Sequence, residues 1–288
     1  MHLALATCRN LPSWEADDRF LHDALRAAGV SFDVPVWSDP AVDWTRYDVC
    51  LIRTTWDYQD RREEFLVWAE RVSVETMLLN PLPIVRWNSH KSYLRDLSVR
   101  GVATAPTEWL LAGTRADVAG LMAARGWERG FLKPAVGATA RETMRFEAEG
   151  ETVAAAQTHV DRLLPNEDLL LQPYLDQVES AGERSAIFID GVLSHCVRKI
   201  PVPGDYRVQD DFGASDEPVR LTAHERDLAE RAVTAVPEPL LYARVDMLRG
   251  LDGTPCVTEL ELIEPSLFFR HDPAAAQRLA TGLIARTR

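Results

Sequence analysis

The stretch from Tyr242 to Phe269, YARVDMLRGLDGTPCVTELELIEPSLFF, places the tightest constraint on what this chain can fold into. Two apolar-rich runs flank Asp252-Gly253, a dipeptide suited to a two-residue hairpin loop because both central positions of that turn need positive φ. With these two residues as the loop, Asp246 lies opposite Glu259 and Arg244 opposite Glu261, while Ala243, Val245 and Met247 face the other way with Leu260 and Leu262. One face is then core, and the other carries three carboxylates and one guanidinium. A solvated sheet face alternates in the same way, but it does not account for the pairing. Like charges directly opposite on adjacent strands are destabilising, and a hard divalent cation with oxygen ligands removes that repulsion. Asp246, Glu259 and Glu261 are therefore the candidate magnesium ligands.

At 288 residues the chain is long enough for two or three subdomains. Its formal net charge of −12 disfavours bulk attraction to nucleic acid or anionic membranes, yet leaves room for a local basic pocket that holds a phosphorylated ligand. Cys8, Cys50, Cys196 and Cys256 form no C-x-x-C pair, so free thiols are the expectation. No basic segment precedes a long apolar run at the N-terminus, and no stretch approaches the ~18 apolar residues of a membrane span. A cytoplasmic protein with a small-molecule partner is the expectation; a homo-oligomer stays open.

Leu3–Thr7, Phe32–Trp37, Tyr47–Arg53 and Met77–Asn80 read as strands. Helices alternate with them: one capped by Ser13 and ended by Gly29, the other running through Phe65, Leu66, Ala69 and Val72. This alternation predicts a parallel, Rossmann-like α/β layer over residues 1–103, with ligands beyond the carboxyl ends of its strands. From residue 104 the pattern turns to α+β. Thr114 and Asp117 resemble a capping box, a short strand ends at Lys133, and the apolar strand LLLQPYL is followed by a hairpin on Asp190-Gly191. Thr222 and Glu225 form a better capping box, and Asp272-Pro273 opens a last helix. Divisions at 104–173 and 174–288 follow.

The only lysines are Lys91, Lys133 and Lys199, which makes each less ordinary as a solubilising residue. Lys133, before the small-residue loop VGATARET, suits a phosphate contact; a lysine that snorkels to water reads equally well. The loop has Gly137 but then Ala138, Thr139 and Ala140, so it lacks the glycines of a close phosphate wrap. Arg198, Lys199 and Arg207 in RKIPVPGDYRVQ form either a phosphate clamp or a solvated rim. None of the seven histidines forms a spaced metal motif, and His195 reads as a structural hydrogen-bonder. Arg53 ends an apolar strand and Asp57 follows on the same loop; together with Thr54 they suit a zwitterionic substrate, or an internal ion pair that shapes the loop.

The order of Lys91, KPAVG, QPYL, GERSAIFIDGVLSHCVRKIP, R-x-D and E-x-E resembles an ATP-grasp ligase over nearly the whole chain. The thirteen-residue step from Asp246 to Glu259 equals that between R-x-D and E-x-N in D-alanine:D-alanine ligases. NPLPIVRWNSHKSYL and LLLQPYL are similar to prokaryotic glutathione synthetases. LIRTTWDYQDRREEFLVWAERV and SHCVRKIPVPGDYRVQ resemble the branch that contains the cycloserine-forming O-ureido-D-serine cyclo-ligase.

That resemblance implies ATP and magnesium as cofactors, with two ions and manganese as an alternative metal. Asp246, Glu259 and Glu261 would hold the metal, and Lys91 and Lys133 the ATP phosphates near Gly137. Gln172, Tyr174 and Leu175 would line the adenine pocket, with Glu183 on the ribose. Lys199 and Arg207 would serve the γ-phosphate side, Arg244 the anionic tetrahedral species, and Arg53, Thr54 and Asp57 the amino-acid-like substrate. Two departures stand out: Glu261 replaces the usual Asn, and the phosphate loop has alanine where glycine is typical. The implied activity is activation of a carboxylate as an acyl phosphate for attack by nitrogen, either intramolecular as in cycloserine formation or between two amino acids. A nucleotide-binding sensor without transfer is the alternative class.

Overall fold

The computed structural model describes residues 1–11 and 17–287. The N-terminal layer contains β1 (His2–Thr7), β2 (Ser31–Asp33), β3 (Val49–Thr54) and β4 (Met77–Leu79), all parallel in the order β2-β1-β3-β4. The inner strands β1 and β3 are apolar on both faces, as a sheet covered on both sides requires. The covering helices are α1 (Arg19–Ala27) and α2 (Arg62–Glu75). The helix α1 starts behind Asp18; Ser13, expected as its cap, lies outside the described residues. Gly29 follows its end at φ +70°, where a side chain would be strained.

Helices α3 (Leu82–Asn88) and α4 (Tyr93–Val99) precede residue 103; α3 keeps Val85 in the core of the N-terminal layer, but both helices also pack further on. Ile84, Tyr93, Leu94 and Leu97 join the core beneath the C-terminal sheet. The central sheet, order β5-β8-β6-β7, is antiparallel and is built from β5 (Glu108–Leu110), β6 (Arg129–Pro134), β7 (Met144–Glu147) and β8 (Leu169–Pro173). One face, with Leu132, Leu169 and Leu171, packs on α5 (Val118–Arg125) and α6 (Glu151–Leu163). Period two therefore sends Phe131, Lys133 and Gln172 to the opposite face. Asp117 itself caps α5 by accepting from the Gly120 N–H at 3.0 Å, while Thr114 turns back to the Leu111 carbonyl; the expected Thr114 box does not form.

After the short α7 (Gln177–Ala181) comes the C-terminal sheet, order β11-β10-β9-β12-β13. Its strands are β9 (Glu183–Ile189), β10 (Val192–Ile200), β11 (Ser215–Pro218), β12 (Tyr242–Arg249) and β13 (Pro255–Glu261). The β9–β10 turn has Asp190 and Gly191 both at positive φ, as the sequence predicts. Helix α8 (Ala223–Thr234) carries the full Thr222–Glu225 capping box and packs Leu228, Ala229 and Ala232 on one sheet face, against Ala243, Val245 and Leu260. The other face is divided. Helix α9 (Pro273–Arg286) covers Ile187, Ile189, Val197 and Tyr242, and in the same core meets Leu21 and Leu25 of α1. The uncovered end carries Ser185, Lys199, Asp246 and Glu259.

The edge strand β13 is closed by side chains together with a short backbone bridge, in which Val257 bonds Ala103 and Ala105. Asn88 donates to the Leu260 carbonyl and accepts from the Leu262 N–H, both at 2.8 Å, and Tyr93 Oη accepts from the Leu260 N–H at 3.2 Å. Asn80 likewise bonds Leu241, Tyr242 and Leu262. These contacts satisfy backbone groups an edge would leave open, and they anchor β12 and β13 to the preceding layer.

Candidate active site

The sequence places Asp246 opposite Glu259 and Arg244 opposite Glu261, and the strands pair so. The route differs from the one expected. The loop is longer than two residues, with Gly250 N–H bonded to the Thr254 carbonyl at 2.7 Å and only Gly253 at positive φ. Arg249 then opposes Pro255, a register one residue out of step with Asp246 and Glu259. A bulge between Asp246 and Met247 absorbs the difference: Met247 pairs with Val257, leaving Thr258 as the extra residue. Without it, Glu259 and Glu261 would project from the opposite face.

On this face Asp246, Glu259 and Glu261 each offer a carboxylate oxygen, all within 4.8 Å of one another. The charges are interleaved with cations. Asp246, 1% exposed, accepts from Lys199 Nζ at 3.1 Å and Arg244 Nη2 at 2.9 Å, and from the Ser185 hydroxyl. Arg244 also reaches Glu261, and Lys199 also pairs with Glu183. Glu259 accepts from Lys91 Nζ at 2.6 Å. Burial alone would raise the Asp246 carboxyl, yet Arg244 and Lys199 override it and hold it below its ordinary range. Glu261 goes the other way: burial, followed by Glu259 and Asp246, outweighs Arg244 and raises it to about 7. An all-oxygen donor set with one carboxyl held up by its neighbours fits a hard divalent cation.

Above this face lies a cavity of about 250 Å³, walled on the far side by the central sheet. Lys133 extends from β6 to the Thr258 carbonyl at 3.2 Å, and burial lowers its ammonium below the ordinary range. Lys91 Nζ also donates to the Gly137 carbonyl at 2.7 Å, tying α4's approach to the loop after β6. Gln172, Tyr174 and Leu175 line the same cavity, and Gln172 donates to Thr107 Oγ1 at 2.7 Å. Two loops form its mouth. In the first, Thr139, Ala140 and Glu142 adopt φ near +50° without being glycine, a strained conformation held from outside. Gln59 accepts from the Ala138 N–H, Arg141 pairs with Glu167, and Tyr206 Oη lies 2.9 Å from Thr143 Oγ1. The second loop supplies Tyr206 and Arg207.

Residues 3–80 match the D-cycloserine synthetase DcsG N-terminal domain, and residues 110–266 match the ATP-grasp domain of prokaryotic glutathione synthetase. The cycloserine biosynthesis protein DcsG of Streptomyces lavendulae is 37% identical over 280 residues, covering 92% of each chain. The chain belongs to the ATP-grasp ligase family. The crystal structure of D-cycloserine synthetase DcsG superposes with TM-score 0.91 at 34% identity, covering 100% of each chain. A probable alpha-L-glutamate ligase of Shewanella amazonensis is 28% identical over 150 residues, 47% of this chain and 49% of that one. D-alanine–D-alanine ligase of Bacillus anthracis, complexed with ATP, shares the fold at TM-score 0.68 and 15% identity. As a member of this family the protein is an ATP-dependent carboxylate–amine ligase that forms C–N bonds.

The ATP-grasp cavity gathers Lys91, Lys133, Gly137, Gln172, Tyr174, Leu175, Glu183, Lys199, Arg207, Arg244, Asp246, Glu259 and Glu261. It does not gather Arg53, Thr54 or Asp57. Arg53, 2% exposed, is bidentate on Asp18 and donates to the Pro265 carbonyl; Thr54 bonds Thr7; Asp57 accepts from Trp37 and Arg61. Arg53 and Asp57 thus take different partners and do not pair with each other. Their loop meets the cavity instead through Trp56 and Tyr58. Arg207 reaches the mouth, but its guanidinium is bound to Asp205 at 2.6 Å and lies over Phe212. Arg198 points away to Glu217, and His195 Nε2 donates to the Leu267 carbonyl at 2.9 Å as a structural group. Glu183, implied at the ribose, sits in the Lys199 pair and accepts from Thr258 Oγ1 at 3.1 Å. Sequence reasoning missed Tyr206 and Glu264, both lining the cavity; an acid before Pro265 in an otherwise apolar run was the available signal.

Proposed function

We propose that the ligase activates the carboxylate of an amino-acid-like substrate with ATP and closes it onto a nitrogen of the same molecule, as in cycloserine formation. The observation that carries this reading is the face on which Asp246, Glu259 and Glu261 alternate with Arg244, Lys199 and Lys91 inside one cavity. Asp246, Glu259 and Glu261 would hold magnesium, which when bound neutralises phosphate oxygens during transfer. Lys91 and Lys133 bind the nucleotide phosphates, and Gln172, Tyr174 and Leu175 receive the base. A substrate carboxylate oxygen attacks the γ-phosphorus, the bond to ADP breaks, and an acyl phosphate forms. Lys199 and Arg244 meet the charge that develops on the transferred group. Nitrogen then attacks the acyl carbon, phosphate leaves, and the nitrogen proton passes to it.

The likeness to DcsG along the whole chain favours the intramolecular reaction over ligation of two amino acids. Incubation with ATP, magnesium and a panel of amino acids and ureido amino acids, read by ADP release and product mass, tests this. The expected product from O-ureido-D-serine contains the cyclised ring and one ADP per turnover. A product mass equal to two joined amino acids would replace the cyclisation reading with the intermolecular one.

A further inference from the structure

The segment behind the metal face is held with unusual redundancy. Four successive carbonyls are each bonded by a side chain from the surrounding structure: Glu264 by Trp56 Nε1 at 3.1 Å, Pro265 by Arg53 Nη2 at 3.2 Å, Ser266 by Arg244 Nη1 at 3.3 Å and Leu267 by His195 Nε2 at 2.9 Å. Such bracing fixes the position of any side chain it presents to the cavity. Glu264, 9% exposed, and Ser266 line the cavity from this segment, and Glu264 supplies its carboxyl group.

That carboxylate has no hydrogen-bond or ion-pair partner among the described residues, and its oxygens do not belong to the compact set formed by Asp246, Glu259 and Glu261. The neighbouring cations are already engaged, Lys91 by Glu259 and Arg244 by Asp246 and Glu261. Burial pushes the Glu264 carboxyl well above its ordinary range, and Glu261 adds to the shift. A buried carboxylate facing other carboxylates is costly unless a cation completes it. Trp56 and Tyr58 line the same cavity, and aromatic walls suit an organic ammonium better than a hydrated metal ion.

We propose that Glu264 receives the ammonium group of the substrate, so that the ligase selects carboxylates that bear an amino group close to the activated carbon. This rests on the ligase reading above and deepens it. Trp56 and Arg53 act through the backbone of Glu264 and Pro265, which makes them positioning residues.

The test compares O-ureido-D-serine with its analogue lacking the amino group, 3-(ureidooxy)propionate, by calorimetric titration in the presence of magnesium and a non-hydrolysable ATP analogue. Wild-type protein should bind the amino compound at least about tenfold more tightly, the scale of one charged hydrogen bond. In Glu264→Gln that preference should shrink to about twofold or less, with affinity for the ATP analogue unchanged. The proposal is overturned if wild-type protein shows no preference, if it binds neither compound, or if the variant keeps the preference. An equal loss for both compounds, accompanied by a higher magnesium requirement, overturns it in favour of a metal ligand. The wild-type comparison needs no variant and so does not depend on how Glu264→Gln folds. ADP release in parallel separates the two readings. Preference without ADP release supports the ammonium site and contradicts the ligase reaction on this substrate; ADP release at equal kcat/KM for both compounds does the reverse.

Discussion

Arg53 Nη2 donates to Asp18 Oδ1 at 2.8 Å while the same nitrogen reaches the Pro265 carbonyl at 3.2 Å. The arginine thus joins the N-terminal layer to the segment that walls the cavity; its Nε and Nη2 are engaged, and its buried Nη1 has no hydrogen-bond partner among the described residues. Breaking a buried pair from one side costs about 3 kcal/mol because the partner charge is stranded. Arg53→Lys, which cannot reproduce the bidentate geometry, should lower the melting temperature and leave ATP affinity unchanged. A variant as stable as wild type but with a tenfold higher substrate KM would return Arg53 to the substrate.

Asp246 and Glu261 should respond in opposite directions in the absence of metal. Asp246→Asn removes the buried carboxylate that Lys199 and Arg244 share and leaves them only Glu183 and Glu261, so metal-free stability should fall by about 3 kcal/mol and turnover should vanish. Glu261→Gln removes a carboxyl that its neighbours already disfavour and keeps an acceptor for Arg244, so the metal-free melting temperature should hold or rise while magnesium-dependent turnover is lost. Equal destabilisation in the two variants would contradict the charge arrangement described for this face.

These two residues also show how far the sequence could be read. An assumed two-residue Asp252-Gly253 loop put Asp246 and Glu259 opposite one another, and the strands do pair so. Their repulsion is screened, because Lys91 and Lys199 arrive from distant parts of the chain and join Arg244, two residues before Asp246. The turn was also misjudged: a longer loop and the Thr258 bulge each move the register by one residue and cancel. Arg53 was legible as a cation at a strand's carboxyl end but its partner was not, since Asp18 lies before the first helix and nothing local marks the contact. Glu264 needed the fold, because only packing shows that its carboxylate is buried without a partner among the described residues.

Among the described residues Lys133 Nζ is hydrogen-bonded to the Thr258 carbonyl alone, and it lines the cavity at the foot of the phosphate loop. Lys133→Ala should weaken ATP by about 2 kcal/mol, one charged hydrogen bond, and leave adenosine binding as it was. Parallel titrations with the two ligands measure this; an equal loss for both would place the lysine away from the phosphates.

The loop at the cavity mouth gives a kinetic expectation. Tyr206 Oη bonds both Thr143 Oγ1 at 2.9 Å and the Thr143 carbonyl at 3.1 Å, which secures a strained loop to its opposite wall. Tyr206→Phe removes those bonds and keeps the ring against Phe131. Nucleotide release, followed by stopped-flow displacement, should accelerate about fivefold, corresponding to roughly 1 kcal/mol. An unchanged release rate would show that the Thr143 contact does not hold the mouth closed.

The central claim is that ATP activates the substrate carboxylate by phosphorylation, and oxygen transfer measures that step directly. O-ureido-D-serine labelled with ¹⁸O in its carboxylate, turned over with ATP and magnesium, should deliver one labelled oxygen to each inorganic phosphate released, since the carboxylate oxygen that attacked the γ-phosphorus leaves with it. Phosphate free of label, with product formed, would contradict the acyl phosphate route.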